Sequence, residues 1–289
     1  MPLCLNLKMT SKVHVILLTW LLTQQVTGLT EFFDLDMAPD AFDDQYEGCV
    51  EDMERKAPQL LQEDFNMNEE LKHEWVKAEV EWKKKKKTVK YPKGFHDFHG
   101  TAVVAYTGHA LNNFHTAVRE FKKNPSNFHY KAFHYYLTRA LQLLSNQSCY
   151  SVYRGSKNKF HYSGEGSVRF GHFGSSSFNR TVAYVDFNGA TGTLFTIKTC
   201  LGANITEFSY KPKQKEVLIP VYEVYDSVTV IASGKGSDKI SLHSPKRGKS
   251  SFNCFYSGST DKSHFSSSAT LLLVVLPGLL VQLLPLAEL

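Results

Sequence analysis

The side chains best suited to chemistry lie in the second half of this chain. Glu216 heads the apolar run Val217-Leu218-Ile219, which Pro220 ends, so it sits where a short buried strand begins. A carboxylate at that boundary is partly desolvated yet able to face a cleft, the setting in which an acid becomes chemically useful. Gln214 lies two residues earlier. If the chain is already extended there, Gln214 projects to the same side as Glu216, and Lys215 to the other. Arg154 closes the strand-like run Ser151-Val-Tyr-Arg and is followed by Gly155. A guanidinium at a strand end beside a flexible glycine offers a two-pronged donor for a phosphate. Ser175 belongs to the small-residue segment Gly171-His-Phe-Gly-Ser-Ser-Ser177, where a ligand can approach the backbone and meet a hydroxyl. Singly, each has a plainer structural reading: a solvated acid, a salt-bridged arginine, a serine loop.

The elements that must position these residues divide the chain in two. From Asp43 to about Ser145 the apolar spacing is helical. It predicts helices over Glu47–Leu61 and Met67–Trp82, with Asn66 or Asn68 capping the second. Gly94–Gly100 reads as a loop, Thr101–Leu111 as a helix leading into His115–Phe121, and Tyr130–Leu144 as the strongest helix. On that last helix Phe133, Tyr136, Leu137, Ala140, Leu141 and Leu144 form one stripe. Past Cys149 the composition turns to Gly, Ser, aromatic and β-branched residues. Strands are expected at 151–154, 167–170, 193–200, 208–210, 216–219, 222–225 and 227–232, paired antiparallel and packed as a sandwich. The fold class is therefore α+β. His96, His99, His129 and His134 match no standard ligand spacing, so no metal site is expected.

Both ends read as processing signals. Lys8 and Lys12, the apolar run Val13–Leu22 and the small residues near Gly28 make residues 1–28 a secretory signal peptide. At the other end Ser257, Gly258 and Ser259 precede a polar spacer and the apolar tail Leu271–Leu286, the pattern of a GPI-attachment signal with Ser257 as attachment residue. The expected divisions are 1–28 signal, 29–148 helical part, 149–257 β-rich core, and 258–289 spacer and propeptide. About 230 residues remain after processing, enough for one large domain. The net charge of +5 owes much to Lys83–Lys87, read as a solvated helix end, so no nucleic-acid partner is expected. Of five cysteines, Cys4 leaves with the signal. Cys49, Cys149, Cys200 and Cys254 make two disulfides in an oxidising compartment, with three connectivities open. Asn146, Asn179 and Asn204 head N-glycosylation sequons.

Arg154, Ser175 and Glu216, in that order at strand ends, resemble the arginine–serine–glutamate signature of the mono-ADP-ribosyltransferase family. The resemblance is strongest to its vertebrate GPI-anchored ecto-enzyme branch of the T-cell type 2 kind. It extends over most of the chain through Ala41–Cys49 (AFDDQYEGC), Phe133–Arg139 (FHYYLTR), Val152–Gly155 (VYRG), Arg169–Gly171 (RFG), Cys200–Gly202 (CLG) and Glu216–Pro220 (EVLIP). The resemblance implies a helical N-terminal part on a β-sandwich-like catalytic core that binds NAD as substrate, with no separate cofactor. It also implies disulfides Cys49–Cys254 and Cys149–Cys200. By the same resemblance Arg154 clamps the NAD diphosphate and Ser175 orients Glu216. Glu216 holds the nicotinamide ribose and stabilises its oxocarbenium-like transition state. Tyr106, Gly155, His172 and Ser209 line the cleft.

One position departs from the family pattern. Members that modify arginine carry Glu-x-Glu, and this chain reads Gln214-Lys-Glu216. A neutral amide can bond an acceptor guanidinium but cannot take its proton, and Lys215 repels it. The expectation is an extracellular NAD glycohydrolase with weak transfer to arginines of cell-surface proteins, anchored to the outer leaflet. The rival readings are an efficient arginine-specific transferase and a catalytically inactive binding protein.

Overall fold

Among the described residues, five α-helices build the first half: α1 (Val50–Met67), α2 (Glu69–Lys85), α3 (Asp97–Tyr106), α4 (Asn112–Arg119) and α5 (Lys131–Leu144). This computed structural model describes residues 32–108, 112–187, 189–190, 192–233 and 236–258. The expected signal peptide and the spacer and tail from residue 259 lie outside them. Met53, Ala57, Leu60 and Leu61 form the buried stripe of α1. Asn68 begins α2, its side chain accepting the Leu71 N–H at 2.9 Å, and Lys83, Lys84 and Lys85 fill the last turn, where cations face the negative helix end. The run 131–144 is more than a one-sided stripe. Ala132 through Thr138, Ala140 and Leu141 are all buried, so α5 is the central helix of the core. The segment read as a loop at 94–100 already turns helical at Asp97. There the His96 N–H donates to His99 Nδ1 at 3.2 Å, a capping bond that a propensity reading does not anticipate.

The described residues of the second half form a seven-stranded sheet. Its strands are β2 (Tyr150–Ser156), β4 (Gly174–Ser177), β5 (Thr193–Thr199), β6 (Ala203–Asn204), β7 (Glu216–Ile219), β8 (Glu223–Ile231) and β9 (Asp238–Arg247). Their order is β6-β7-β4-β2-β5-β9-β8, antiparallel except for the parallel pair β5–β9. A parallel two-stranded ribbon, β1 (Phe32–Asp34) with β3 (Lys159–His161), stands apart from it. Side-chain alternation gives β7 two faces. Leu218 joins the helical core, while Val217 and Ile219 join a second cluster with Leu35, Val152, Phe170 and Phe195, against which Phe160 of the ribbon packs. This second layer is what makes the core sandwich-like.

Several boundaries differ from expectation for identifiable reasons. Residues 167–170 contribute a single bridge, Val168 to Tyr225, because Arg169 turns inward to Asp43 (2.8 Å) and to the carbonyls of Met37 and Ala38. Residues 208–210 are a turn closed on the Ile205 carbonyl. Strand β8 runs unbroken through residue 226, and β9, with Pro245 inside it, escaped the sequence reading. Tyr225 pairs with Pro245 and Ser227 with His243 in unchanged register, and the pairing lapses between them, where Ser244 has φ of +53°; β9 has also left β5 beyond Leu242, so the proline's missing N–H costs no ladder bond on that side. A short helix α6 (Arg180–Val185) was also unforeseen; Asn179 caps it through the Thr181 N–H.

The disulfides are Cys49–Cys254 and Cys149–Cys200. The first is reinforced by buried acids of the 41–49 segment. Asp43 accepts the N–H groups of Ser251 (2.8 Å) and Phe252 (3.1 Å), and Asp44 those of Cys254 (2.9 Å) and Phe255 (3.0 Å). The segment thus clasps the last described residues of the chain against the core. No helix among the described residues is long and apolar enough to cross a membrane.

Candidate active site

Glu216 opens β7, pairs with Ser177 of β4 and is only 4 % exposed. Ser175 pairs with Leu218, so alternation puts Ser175, Ser177, Glu216 and Leu218 on the same face of the two strands. The serine run is therefore a strand and not a loop, and each hydroxyl has an assignment. Ser176 donates to the Val217 carbonyl and Ser177 to the Gln214 carbonyl, both at 2.6 Å. Ser175 meets the Tyr106 hydroxyl at 3.0 Å and faces the Glu216 carboxylate closely enough to favour its ionised form. Burial raises the Glu216 pKa. The Ser175 hydroxyl and the charges of Arg154 and Lys211 oppose it, and the balance stands at about 7.

Arg154 lies inside β2, paired with Phe195, and not at its end. One guanidinium nitrogen donates to the Ser175 carbonyl at 2.8 Å, and the group stacks over the Phe170 ring at 5.3 Å. Its Nε is buried without a partner. Arg169 shows the contrast, with a carboxylate and two carbonyls to satisfy it. A half-buried guanidinium held at one corner has donors left for an anion.

The Tyr106 hydroxyl, at the end of α3, lies 3.1 Å from the Phe173 carbonyl, 3.0 Å from His115 Nε2 and 3.0 Å from Ser175 Oγ. Burial holds the phenol far above its usual pKa, so it keeps its single proton for three neighbours. His115 comes from α4 and stacks on His172, ring centroids 4.9 Å apart. His172 Nδ1 donates to the Phe173 carbonyl at 2.8 Å. Burial pushes the His115 pKa down to about 4 and that of His172 well below the usual value, with the Arg154 charge adding to both, so the pair is neutral. His115, Phe170 and Phe173 went unremarked as site residues in the sequence. A lone histidine on a short helix carries no motif, and only the stacking reveals it.

Other expected site residues lie farther from this cluster or differ in conformation. Gly155 is mid-strand, paired with Leu194, and not a flexible end; a Cβ there would lie 1.9 Å from the Ala183 carbonyl oxygen. Ser209 is fully buried, and its hydroxyl accepts the Lys211 N–H at 2.9 Å, shaping the turn that follows. Gln214 ends a 3-10 turn (Pro212–Gln214), and Lys215 has φ of +48°. The chain is thus not extended before Glu216, and the two-residue alternation proposed for Gln214 and Glu216 fails. What fixes Gln214 is the Ser177 bond to its carbonyl.

The four histidines whose spacing matched no ligand pattern occupy different settings. His134 bonds the Tyr46 hydroxyl (2.8 Å) and the Phe42 carbonyl (3.1 Å), and His129 bonds Asn127. Glu54, His96 and His99 bring candidate ligand atoms within 4.8 Å of one another. His99 Nδ1 accepts a backbone N–H, however, so the neutral ring carries its proton on Nε2, the atom that would have to ligate. Two sizeable cavities near the 204–215 loop, of about 930 and 710 Å³, contain none of Arg154, Ser175 and Glu216. The site is defined by its chemistry and not by its volume.

Comparison with known proteins gives one answer. Residues 35–250 match the family model "ART: NAD:arginine ADP-ribosyltransferase". The chain is 66 % identical over 279 residues to T-cell ecto-ADP-ribosyltransferase 1 of Mus musculus, covering 94 % of this chain and 96 % of that protein. It superposes on the crystal structure of the eucaryotic mono-ADP-ribosyltransferase ART2.2 with TM-score 0.74 and 62 % identity, covering 78 % of this chain and 99 % of that one. A mutant of ART2.2 in complex with NAD gives TM-score 0.73 at the same identity and coverage. The chain is thus an NAD-using enzyme, and it belongs to the NAD:arginine ADP-ribosyltransferase family.

Proposed function

We propose that this enzyme cleaves extracellular NAD chiefly to ADP-ribose and nicotinamide, and transfers ADP-ribose to arginine only weakly. The observation that carries the NAD site is Arg154: a stacked, half-buried guanidinium whose Nε has no partner, beside a buried carboxylate. Arg154 holds the diphosphate through its free donors. Glu216, when ionised, bonds the nicotinamide ribose and stabilises the positive charge that grows as nicotinamide leaves. Ser175, steadied by Tyr106, keeps the carboxylate aimed. Tyr106, His172 and, less directly, Gly155 and Ser209 shape the wall around it.

The acceptor step distinguishes two readings. Gln214 offers an amide where an arginine acceptor needs a base, and Lys215 is positive. Water needs less help, so hydrolysis dominates. Efficient transfer to arginine is the second reading, favoured by the family model over residues 35–250. Labelled NAD with and without agmatine measures the ratio directly. Product found mainly as free ADP-ribose at saturating agmatine supports hydrolysis; product found mainly on agmatine supports transfer.

The setting follows from the ends of the chain and from the relative named as an ecto-enzyme. Residues 1–28 are removed, 29–148 and 149–257 form the helical and NAD-binding parts, and 258–289 is exchanged for a GPI anchor at Ser257. Ser257 lies just past the clasped Cys254, which would hold the catalytic part close to the outer leaflet. The acceptors within reach are arginines of neighbouring cell-surface proteins.

A further inference from the structure

We infer that a groove beside the turn before Glu216 is the seat of the chain's own N-glycans, attached at Asn146 and Asn204. The groove encloses about 930 Å³ between the segment after α2, the end of α5 and the turn after β6. Its lining includes Tyr91, Leu144, Tyr150, Phe178 and Phe208. Tyr91 is 42 % and Phe178 36 % exposed. An apolar, aromatic groove of this kind on a protein surface calls for an occupant.

Two of the three sequon asparagines stand on its rim. Asn146 and Asn204 both line the groove and both are exposed, though they come from different halves of the chain. Asn146 Oδ1 accepts the Ser148 N–H (3.1 Å) and the Tyr150 hydroxyl (3.0 Å), and Asn204 Oδ1 accepts the Thr206 N–H (3.0 Å). Their Nδ2 atoms are the ones that form the linkage. In that step Nδ2 attacks the anomeric carbon of a lipid-diphosphate-linked oligosaccharide. The N–C bond forms, the C–O bond to phosphate breaks, an amide proton is lost and the lipid diphosphate departs. The first N-acetylglucosamine has a C–H face and an acetamide methyl for the aromatic floor, and hydroxyls for Lys90, Glu207 and Lys215 on the same lining. Asn179 serves as an internal control, because it caps α6 and is not part of the groove lining.

The inference rests on the extracellular reading but not on the chemistry at Glu216. It is tested on the full chain expressed in mammalian cells and purified. Peptide mass spectrometry after enzymatic deglycosylation in heavy-oxygen water gives the occupancy of each sequon. Hydrogen exchange over residues 88–92 and 204–208 then compares the glycosylated protein with the same folded protein after the sugars are removed. Asn146 and Asn204 are expected to be occupied, and exchange in the groove to quicken about threefold or more on removal. The double variant Ser148→Ala with Thr206→Ala repeats this without touching either asparagine, and Thr181→Ala leaves the groove unchanged. Asn179 occupied with Asn146 and Asn204 empty overturns the inference while the extracellular reading stands. Full occupancy with unchanged exchange also overturns it. All three empty overturns the inference as well, and nicotinamide release from NAD reports on the catalytic reading independently.

Discussion

Glu216 is held where ionisation is costly, so removing its charge is expected to stabilise the protein as it destroys activity. Its ordinary pKa of 4.5 is raised to about 7, mainly by burial. At 1.36 kcal/mol for each pKa unit, the preference for the protonated form in the folded state is worth about 3 kcal/mol. The sign follows from which state ionises first. Below pH 4.5 the carboxyl is protonated folded and unfolded, and the stabilisation is fully present. As pH rises the unfolded chain ionises first, so wild-type stability falls until the folded pKa near 7 is passed, then levels. Glu216→Gln has no such loss, and its amide still meets the Ser175 hydroxyl. Urea unfolding of ligand-free wild type and variant between pH 4.5 and 8.5, disulfides intact, measures the difference. The variant's advantage should grow by about 3 kcal/mol across that range while its nicotinamide release falls by two orders of magnitude or more. A difference that stays flat with pH would mean that Arg154 and Lys211 fully compensate the buried charge, and the reasoning would fail.

Four further outcomes are expected. Nicotinamide release by wild type should rise with pH through about 7, since the ionised Glu216 is the active form; a profile flat from pH 5 to 8 counts against this. Arg154→Lys replaces a planar fork by a point charge and should raise the KM for NAD roughly 10- to 100-fold, read by steady-state kinetics. Gln214→Glu should increase transfer to agmatine relative to hydrolysis about tenfold or more in the labelled-NAD assay, leaving total NAD cleavage within a few-fold. Gly155→Ala forces a methyl to 1.9 Å from the Ala183 carbonyl oxygen and should lower the thermal midpoint by several degrees or prevent secretion.

The sequence made the frame legible wherever one physical signal prevailed. The apolar stripe of 130–144, the Asn68 cap and the run Glu216–Ile219 all appear in the structure near where periodicity puts them. What it hid were elements held by tertiary partners. Serine has no strand preference, so β4 was read as a loop; its register with β7 and the Ser176 and Ser177 bonds to neighbouring carbonyls make it a strand. Pro245 concealed β9 because its position beyond the β5–β9 pairing, where no ladder bond needs its N–H, is a property of the sheet. At the site, residue types marked Arg154, Ser175 and Glu216, but geometry depended on more. The left-handed Lys215 undid the simple alternation of Gln214 and Glu216, and His115 entered only because α4 packs its ring on His172 beside Tyr106.

A crystal structure of the wild-type enzyme with a non-cleavable NAD analogue examines the core relation between acid and arginine most directly. The diphosphate should lie on the free donors of Arg154, with a Glu216 carboxylate oxygen in hydrogen-bond contact with the 2′-hydroxyl of the nicotinamide ribose. A diphosphate bound away from Arg154, or a Glu216 carboxylate turned from the ribose into a separate ion pair, would contradict it.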